Sequence, residues 1–273
     1  MSKLQVFTVE TFHKLNPNWE IFVYTPIQDY TMGAKYIPDY TGKNYFSLLE
    51  NMDYVQIVPI DINKYKISGD LHNILRSDIF RYHILYDVGG VWSDFDVIWI
   101  KSIDHMNVVV RVGGVKMENM GATVCFYRGT TGHHNIGILF GVPRHTLYKA
   151  LIEEAIKLQN SLKDKQQYNH QVFGVLLWEH LYKNFSDVIK KHNDVVGIRY
   201  ETFYPYGVFD LDRLYKRTDL SVINNNVMCV HWYNGHVLSK HYINNDGFNR
   251  DCSMTTILKM RSVFKGDYYG KNG

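Results

Sequence analysis

Ser77-Asp78-Ile79-Phe80-Arg81-Tyr82-His83-Ile84-Leu85-Tyr86-Asp87-Val88-Gly89-Gly90-Val91-Trp92-Ser93-Asp94-Phe95-Asp96 holds a helix, a stop and the start of a carboxylate-bearing strand. Leu71, Ile74, Leu75, Asp78, Ile79, Tyr82, Leu85 and Tyr86 fall at helical spacing, and Gly89-Gly90 closes the helix as a C-cap does. The next ten residues, Val91 to Ile100, are β-branched and aromatic apart from two aspartates, which predicts a strand. Strand periodicity turns Asp94 and Asp96 to the same side. Two like charges side by side are costly to bury without a positive partner. A divalent cation is the simplest one, because Mg²⁺ or Mn²⁺ takes one or two carboxylates plus phosphate oxygens. A strand end open to solvent is the alternative.

The helix ahead of the strand carries its own polar cluster. Asp78 sits on the apolar stripe, Arg81 is three residues on, and Ser77 adds a hydroxyl. Arg81 can bind a phosphate with two N–H groups or simply pair with Asp78 and pin the helix. Gly89-Gly90 joins the helix directly to the aspartates, so both clusters lie on one unit. In open α/β sheets such strand-end crevices bind ligands.

Outward from this unit, a helix over Leu4 to Leu15 precedes a strand at Glu20–Tyr24, and a second strand covers Tyr54–Ile60. This alternation argues for an α/β fold. Beyond it, Leu147 to Leu162 reads as an amphipathic helix, Asn169 to Phe185 as another, and Val227–Val230 as a buried strand leading into His231. No repeat or linker divides the chain, so we read residues 1–273 as one domain: a ligand-binding half at 1–104 and an irregular half at 105–273.

With 45% hydrophobic residues, 21% charged residues and six prolines, a large core is affordable and disorder is not indicated. A net charge of +3 with no basic stripe argues against nucleic acid as a partner. Cys125, Cys229 and Cys252 have no CxxC spacing and read as reduced thiols. Neither a transmembrane run nor a signal peptide is visible, which sets the expectation of a cytoplasmic protein. Adjacent His133-His134 read as loop residues rather than a metal site.

The stretch from Ser77 to Asp96 resembles the SDxxRxxxLxxxGGxYxDxD signature of DXD-containing glycosyltransferases. These are family 32-like enzymes related to initiating α-1,6-mannosyltransferases, α-1,4-galactosyltransferases and the clostridial glucosylating toxins. Thr11 to Glu20, Phe203-Tyr204-Pro205 and Val230-His231-Trp232 are similar to further elements of that family. The resemblance implies a GT-A type fold: a Rossmann-like mixed sheet flanked by helices, with an irregular C-terminal acceptor half. It also implies a nucleotide-sugar donor, with UDP-sugars favoured, a Mn²⁺ or Mg²⁺ cofactor, and hexosyl transfer with retention to an acceptor that the sequence does not name.

Carried over by position, Ser77, Asp78, Arg81, Trp92 and Asp94 would contact the donor, while Asp94 and Asp96 would be the catalytic carboxylates. Asp96, Asp94 and His231 would hold the metal. The chain departs from the pattern at Trp92, where tyrosine is usual, at Phe173-Gly174-Val175, where "GP" is expected, and at Gly235-His236, where "SW" is expected. The family's usual first strand has no counterpart ahead of Ser2, which leaves a catalytically silent nucleotide-sugar binder as the alternative reading.

Overall fold

A computed structural model describes residues 1–27, 41–105, 108–110, 113–115, 122–126, 135–162, 171–183, 185–245 and 247–261. The first helix, α1 (Lys3–Leu15), begins with a reciprocal cap. The Ser2 hydroxyl accepts from the Gln5 N–H, and the Gln5 side chain accepts from the Ser2 N–H. Strand β1 (Ile21–Pro26), helix α2 (Phe46–Glu50) and strand β2 (Val55–Ile60) follow, with β1 and β2 parallel and Ile21 opposite Val55. Helix α3 (Asn73–Asp87) matches the expected helix, and Gly89 and Gly90 end it at φ +76° and +88°. A side chain at Gly89 would also strike Pro143 Cδ, 2.7 Å from an ideal Cβ, so space as well as backbone conformation fixes glycine there.

The expected strand at Val91–Ile100 is two strands, and this is the main correction to the sequence reading. Strand β3 (Gly90–Ser93) pairs antiparallel with a later strand, whereas β4 (Val97–Trp99) belongs to another sheet. Asp94, Phe95 and Asp96 lie in the break. Their backbone groups go to three different elements: the Asp94 N–H donates to the Gly137 carbonyl at 2.8 Å, the Thr8 hydroxyl donates to the Phe95 carbonyl at 2.7 Å, and the Trp232 N–H donates to the Asp96 carbonyl at 2.8 Å. Those bonds stand in for ladder bonds where the run leaves one sheet and enters the next.

The remaining elements are β5 (Val108–Val110), β6 (Gly113–Val115), β7 (Ala122–Phe126), β8 (Ile138–Gly141), α4 (Thr146–Ser161), α5 (Val175–Leu181), α6 (Phe185–Lys191), β9 (Val195–Arg199), α7 (Leu211–Tyr215), β10 (Cys229–His231), α8 (Val237–Asn244) and α9 (Ser253–Met260). The helix expected over Asn169–Phe185 is thus the shorter α5, with residues 163–170 outside the described set. The architecture is mixed α/β. Among the described residues its strands form four small sheets, β1-β2, β10-β4, β3-β8-β7-β9 and β5-β6, where one mixed sheet was expected. The four-stranded sheet is itself mixed, since β7 and β9 run parallel while β3 and β8 run antiparallel.

The core follows from the amphipathic stripes. Leu75, Ile79, Tyr82 and Leu85 of α3 pack with Leu147, Tyr148 and Leu151 of α4. A second cluster joins Leu4 and Phe7 of α1 to Trp232, Tyr242 and Leu258, so the first helix shares a core with the C-terminal elements. Cys229 and Cys252 are buried free thiols, as expected. No helix among the described residues is long and apolar enough to cross a membrane.

Candidate active site

Three segments build the site: α3, the break between β3 and β4, and the turn after β10. Arg81 is the hub. Its side chain is 4% exposed, and its guanidinium donates to Asp78 Oδ1 at 2.5 Å, to the Ile136 carbonyl at 2.6 Å and to Asp94 Oδ2 at 3.3 Å. It also lies 5.2 Å from the centre of the Trp92 ring, a cation–π distance. Trp92 Nε1 donates to Asp94 Oδ1 at 2.8 Å, so Asp94 is held from both sides.

Asp96 is held by the C-terminal segment. His231 Nε2 lies 3.0 Å from Asp96 Oδ1, and the Asn234 N–H donates to Oδ2 at 2.9 Å. The chain turns between those two residues through Tyr233 at φ +54°, a left-handed conformation that costs an aromatic residue about 1 kcal/mol. That strained turn is the link between His231 and the Asn234 N–H on Asp96.

The three carboxyls are shifted differently by their surroundings. Burial pushes Asp78 up to about 7, against the pull of Arg81 and with the help of Asp94. Asp94 is also raised by burial, opposed by Arg81 and reinforced by the charge of Asp96. For Asp96 burial acts upward too, but His231 and the Asn234 N–H outweigh it and hold the carboxyl below its ordinary value.

All seven residues that the sequence singled out line or support one cleft of about 1490 Å³. Ser77, Arg81, Trp92, Asp94, Asp96 and His231 line it, and Asp78 stands behind Arg81. Arg81 clamps two carboxylates, which is nearer to the pinning alternative than to an open phosphate site. The equal alternation expected for Asp94 and Asp96 is not how they meet, since the two reach the cleft from a bend rather than from one face of a strand. His133 and His134 lie outside the described residues.

Several residues here were given no role by the sequence, although Asn135-Ile136-Gly137 loosely matches a family segment near the donor pocket. Gly137 has an ordinary φ, yet an added Cβ would stand 3.1 Å from Asp94 Oδ2, 3.2 Å from the Tyr204 hydroxyl and 3.5 Å from His231 Nε2. Three polar side chains therefore converge over a residue that has none. The Thr8 hydroxyl donates to the Phe95 carbonyl, the Ile136 carbonyl accepts from the Arg81 guanidinium and the Asn234 N–H donates to the Asp96 carboxylate, and no local pattern announces such roles.

Residues 2–111 match the family described as the glycosyltransferase sugar-binding region containing DXD motif. The chain carries a DXD glycosyltransferase region. Within this DXD region lie Asp78, Arg81, Asp94 and Asp96, while Gly137 and His231 complete the site from beyond it. The chain is also similar to the initiation-specific alpha-1,6-mannosyltransferase of Saccharomyces cerevisiae, at 37% identity over 79 residues. That alignment covers 27% of this chain and 16% of the yeast protein.

Among the described residues no group of three His, Cys, Asp or Glu side chains is arranged as a complete metal site. The donor chemistry nevertheless suits a hard divalent cation. Two carboxylates stand beside an imidazole whose Nδ1 is buried without a hydrogen-bond partner, and the Gly137 cradle is free of side chain. Such an ion takes its other ligands from phosphate oxygens or water.

Proposed function

We propose that the chain is a metal-dependent glycosyltransferase that moves a hexose from a nucleotide-sugar, a UDP-sugar first of all, to an acceptor hydroxyl with retention of configuration. In this reading residues 1–273 form one GT-A type catalytic domain. The observation that carries it is the excess of carboxylate in the cleft. Asp94 and Asp96 line the cleft and Asp78 stands behind it, so three carboxyls share one guanidinium and one imidazole. A cation brought with a diphosphate supplies the remaining positive charge.

Asp94 and Asp96 would hold Mn²⁺ or Mg²⁺, with His231 as a third ligand. The ion would supply electrostatic stabilisation of the charge that builds on the leaving diphosphate. Arg81 keeps the Asp94 carboxylate aimed into the cleft through two supports, Asp78 and the Ile136 carbonyl. The Trp92 ring covers the guanidinium and keeps water from its face. Ser77 presents its position on the cleft wall for donor hydroxyls. In a retaining transfer the acceptor hydroxyl approaches on the leaving-group side and its proton goes to the departing diphosphate, so no side chain is assigned as base.

The test is a thermal-shift titration with UDP- and GDP-sugars, with Mn²⁺ or with EDTA, on the wild type and on Asp94→Ala and Asp96→Ala. A ligand that binds only the folded state stabilises it by mass action, by about 2.7 kcal/mol at a hundredfold excess over Kd, and so raises the midpoint. We expect a shift for one donor that needs the metal and vanishes in both variants. Shift without turnover of that donor, by transfer or hydrolysis, would establish the silent binder instead. No shift for any donor overturns both readings.

A further inference from the structure

A histidine that serves a metal is normally oriented by a hydrogen bond to its second ring nitrogen. His231 is held differently. Its Nε2 meets Asp96 Oδ1 at 3.0 Å, while Nδ1 is buried with no hydrogen-bond partner among the described residues. One polar contact does not fix the plane of the ring, so its orientation has to come from packing. Two tyrosine rings supply that packing. Tyr204 lies 5.0 Å from the imidazole centre at 47°, and Tyr233 stands edge-on at 4.3 Å and 73°.

Both tyrosines lead to Tyr200. This residue opens the short 3-10 turn Tyr200–Thr202 after β9, and Tyr204 follows it at i+4, its N–H donating to the Tyr200 carbonyl at 2.9 Å. That spacing puts the two rings side by side. They stack with centres 4.7 Å apart and planes 19° from parallel. The Tyr200 hydroxyl lies 2.7 Å from the Tyr233 hydroxyl. The segment is itself fastened to the last strand. The Met228 N–H donates to the Thr202 carbonyl at 2.8 Å, and the His231 N–H donates to the Phe203 carbonyl at 3.2 Å.

The hydroxyl pair acts where the backbone needs support. Tyr233 is at φ +54°, a conformation that an aromatic residue keeps only when its surroundings hold it there. The next residue is Asn234, whose N–H donates to Asp96 Oδ2 at 2.9 Å. Tyr233 and Asn234 line the cleft, and Tyr200 is a buried residue outside that lining. A bond from this fastened tyrosine to Tyr233 therefore restrains both contacts on Asp96, the imidazole through the Tyr233 ring and the amide through the Tyr233 backbone.

We infer that Tyr200 is a positioning residue: through the Tyr233 hydroxyl it holds the His231 ring and the Asn234 N–H on Asp96. What these groups are held for rests on the transferase reading above, in which Asp96 and His231 receive the divalent ion.

The test is Tyr200→Phe on the whole chain, which removes the hydroxyl and keeps the stacked ring. Tyr182→Phe is the control, since it removes a buried hydroxyl that meets His192 Nε2 at 2.8 Å, away from the cleft. Two readouts need no metal: the ring resonance of His231 in histidine-labelled protein, assigned by its loss in His231→Gln, and amide exchange at Asn234. The third is Mn²⁺ affinity by electron paramagnetic resonance, with UDP or GDP present. In Tyr200→Phe we expect a displaced His231 resonance, Asn234 exchange faster by about tenfold and Mn²⁺ bound about fivefold more weakly. Tyr182→Phe should match the wild type in all three. Tyr233→Phe should reproduce Tyr200→Phe, and the double variant should add nothing, as two changes to one bond do. An unchanged ring and amide in Tyr200→Phe, or equal changes in Tyr182→Phe, overturn the inference. Unchanged Mn²⁺ affinity beside an altered ring and amide overturns it as well. If the wild type binds no Mn²⁺ while its ring and amide respond to Tyr200→Phe, the positioning stands and the transferase reading falls.

Discussion

Two buried histidine networks differ in a way that separates structure from chemistry. At the start of α4, His145 Nδ1 accepts from the Leu147 N–H and Nε2 meets Asp194 at 3.0 Å. Beside it, His192 Nδ1 lies 2.7 Å from the Thr146 hydroxyl and Nε2 lies 2.8 Å from the Tyr182 hydroxyl. Every ring nitrogen has a partner, and neither ring lines the cleft. In the cleft, His231 has Asp96 on Nε2 and no partner on Nδ1, next to a carboxylate excess. A saturated network ties α4 to the segments around α5 and β9. An unsaturated one keeps capacity for a ligand.

The largest expected effect tests whether the cleft network is also structural. Replacing Arg81 by methionine strands the buried Asp78 carboxyl and removes one support of the half-buried Asp94, and breaking such a cluster costs about 3 kcal/mol. Urea denaturation should show that loss together with loss of donor binding, while Asp96→Ala loses binding at a smaller cost to the midpoint, that of the His231 and Asn234 contacts. Equal destabilisation by both changes would erase the contrast between the hub and the ligand-facing carboxylate.

His192→Ala should do the reverse. It removes two buried hydrogen bonds and leaves a cavity, at a cost of about 2–3 kcal/mol, with donor affinity unchanged. Its pH signature is distinct. Burial first, then the charges of His145 and Lys191, lower the His192 pKa below its ordinary value, with Asp194 opposing. A histidine depressed in the folded state binds its proton more readily when unfolded. Its contribution is thus complete above its ordinary value near 6.5 and is lost as pH falls through the lower folded value. Urea midpoints from pH 7 to pH 4 should fall less steeply in the variant than in the wild type.

The smallest effect sharpens the site itself. In Gly137→Ala the new methyl would press on Asp94 Oδ2 and the Tyr204 hydroxyl. We expect about a tenfold loss of donor affinity, which equals about 1.4 kcal/mol, with a stability loss of about 1 kcal/mol, the low end for overpacking a buried position. Isothermal titration with the donor that shifts the wild type checks it. Unchanged affinity would show that the cradle is not used.

Much of this was legible in the chain. Helical spacing located α1, α3 and α4 within about two residues, and the apolar runs located β1 and β2, because those patterns are local. The Ser77 to Asp96 signature brought Asp78, Arg81, Trp92, Asp94 and Asp96 together before any coordinates did. The break at Asp94–Asp96 was not legible. Val91 to Ile100 is β-branched and aromatic on both sides of the aspartates, and only the distant partners β8 and β10 assign its halves to different sheets.

The sequence by itself determined that the aspartates stand just after a glycine-stopped helix, since cap chemistry and periodicity act over a few residues. The tertiary structure alone decided what each aspartate faces. Arg81 turns to Asp94 and the imidazole of His231, 135 positions from Asp96 in the chain, turns to the other carboxylate. Gly137 keeps the space between them open. Contacts of that separation are set by how layers pack, and packing depends on every element at once.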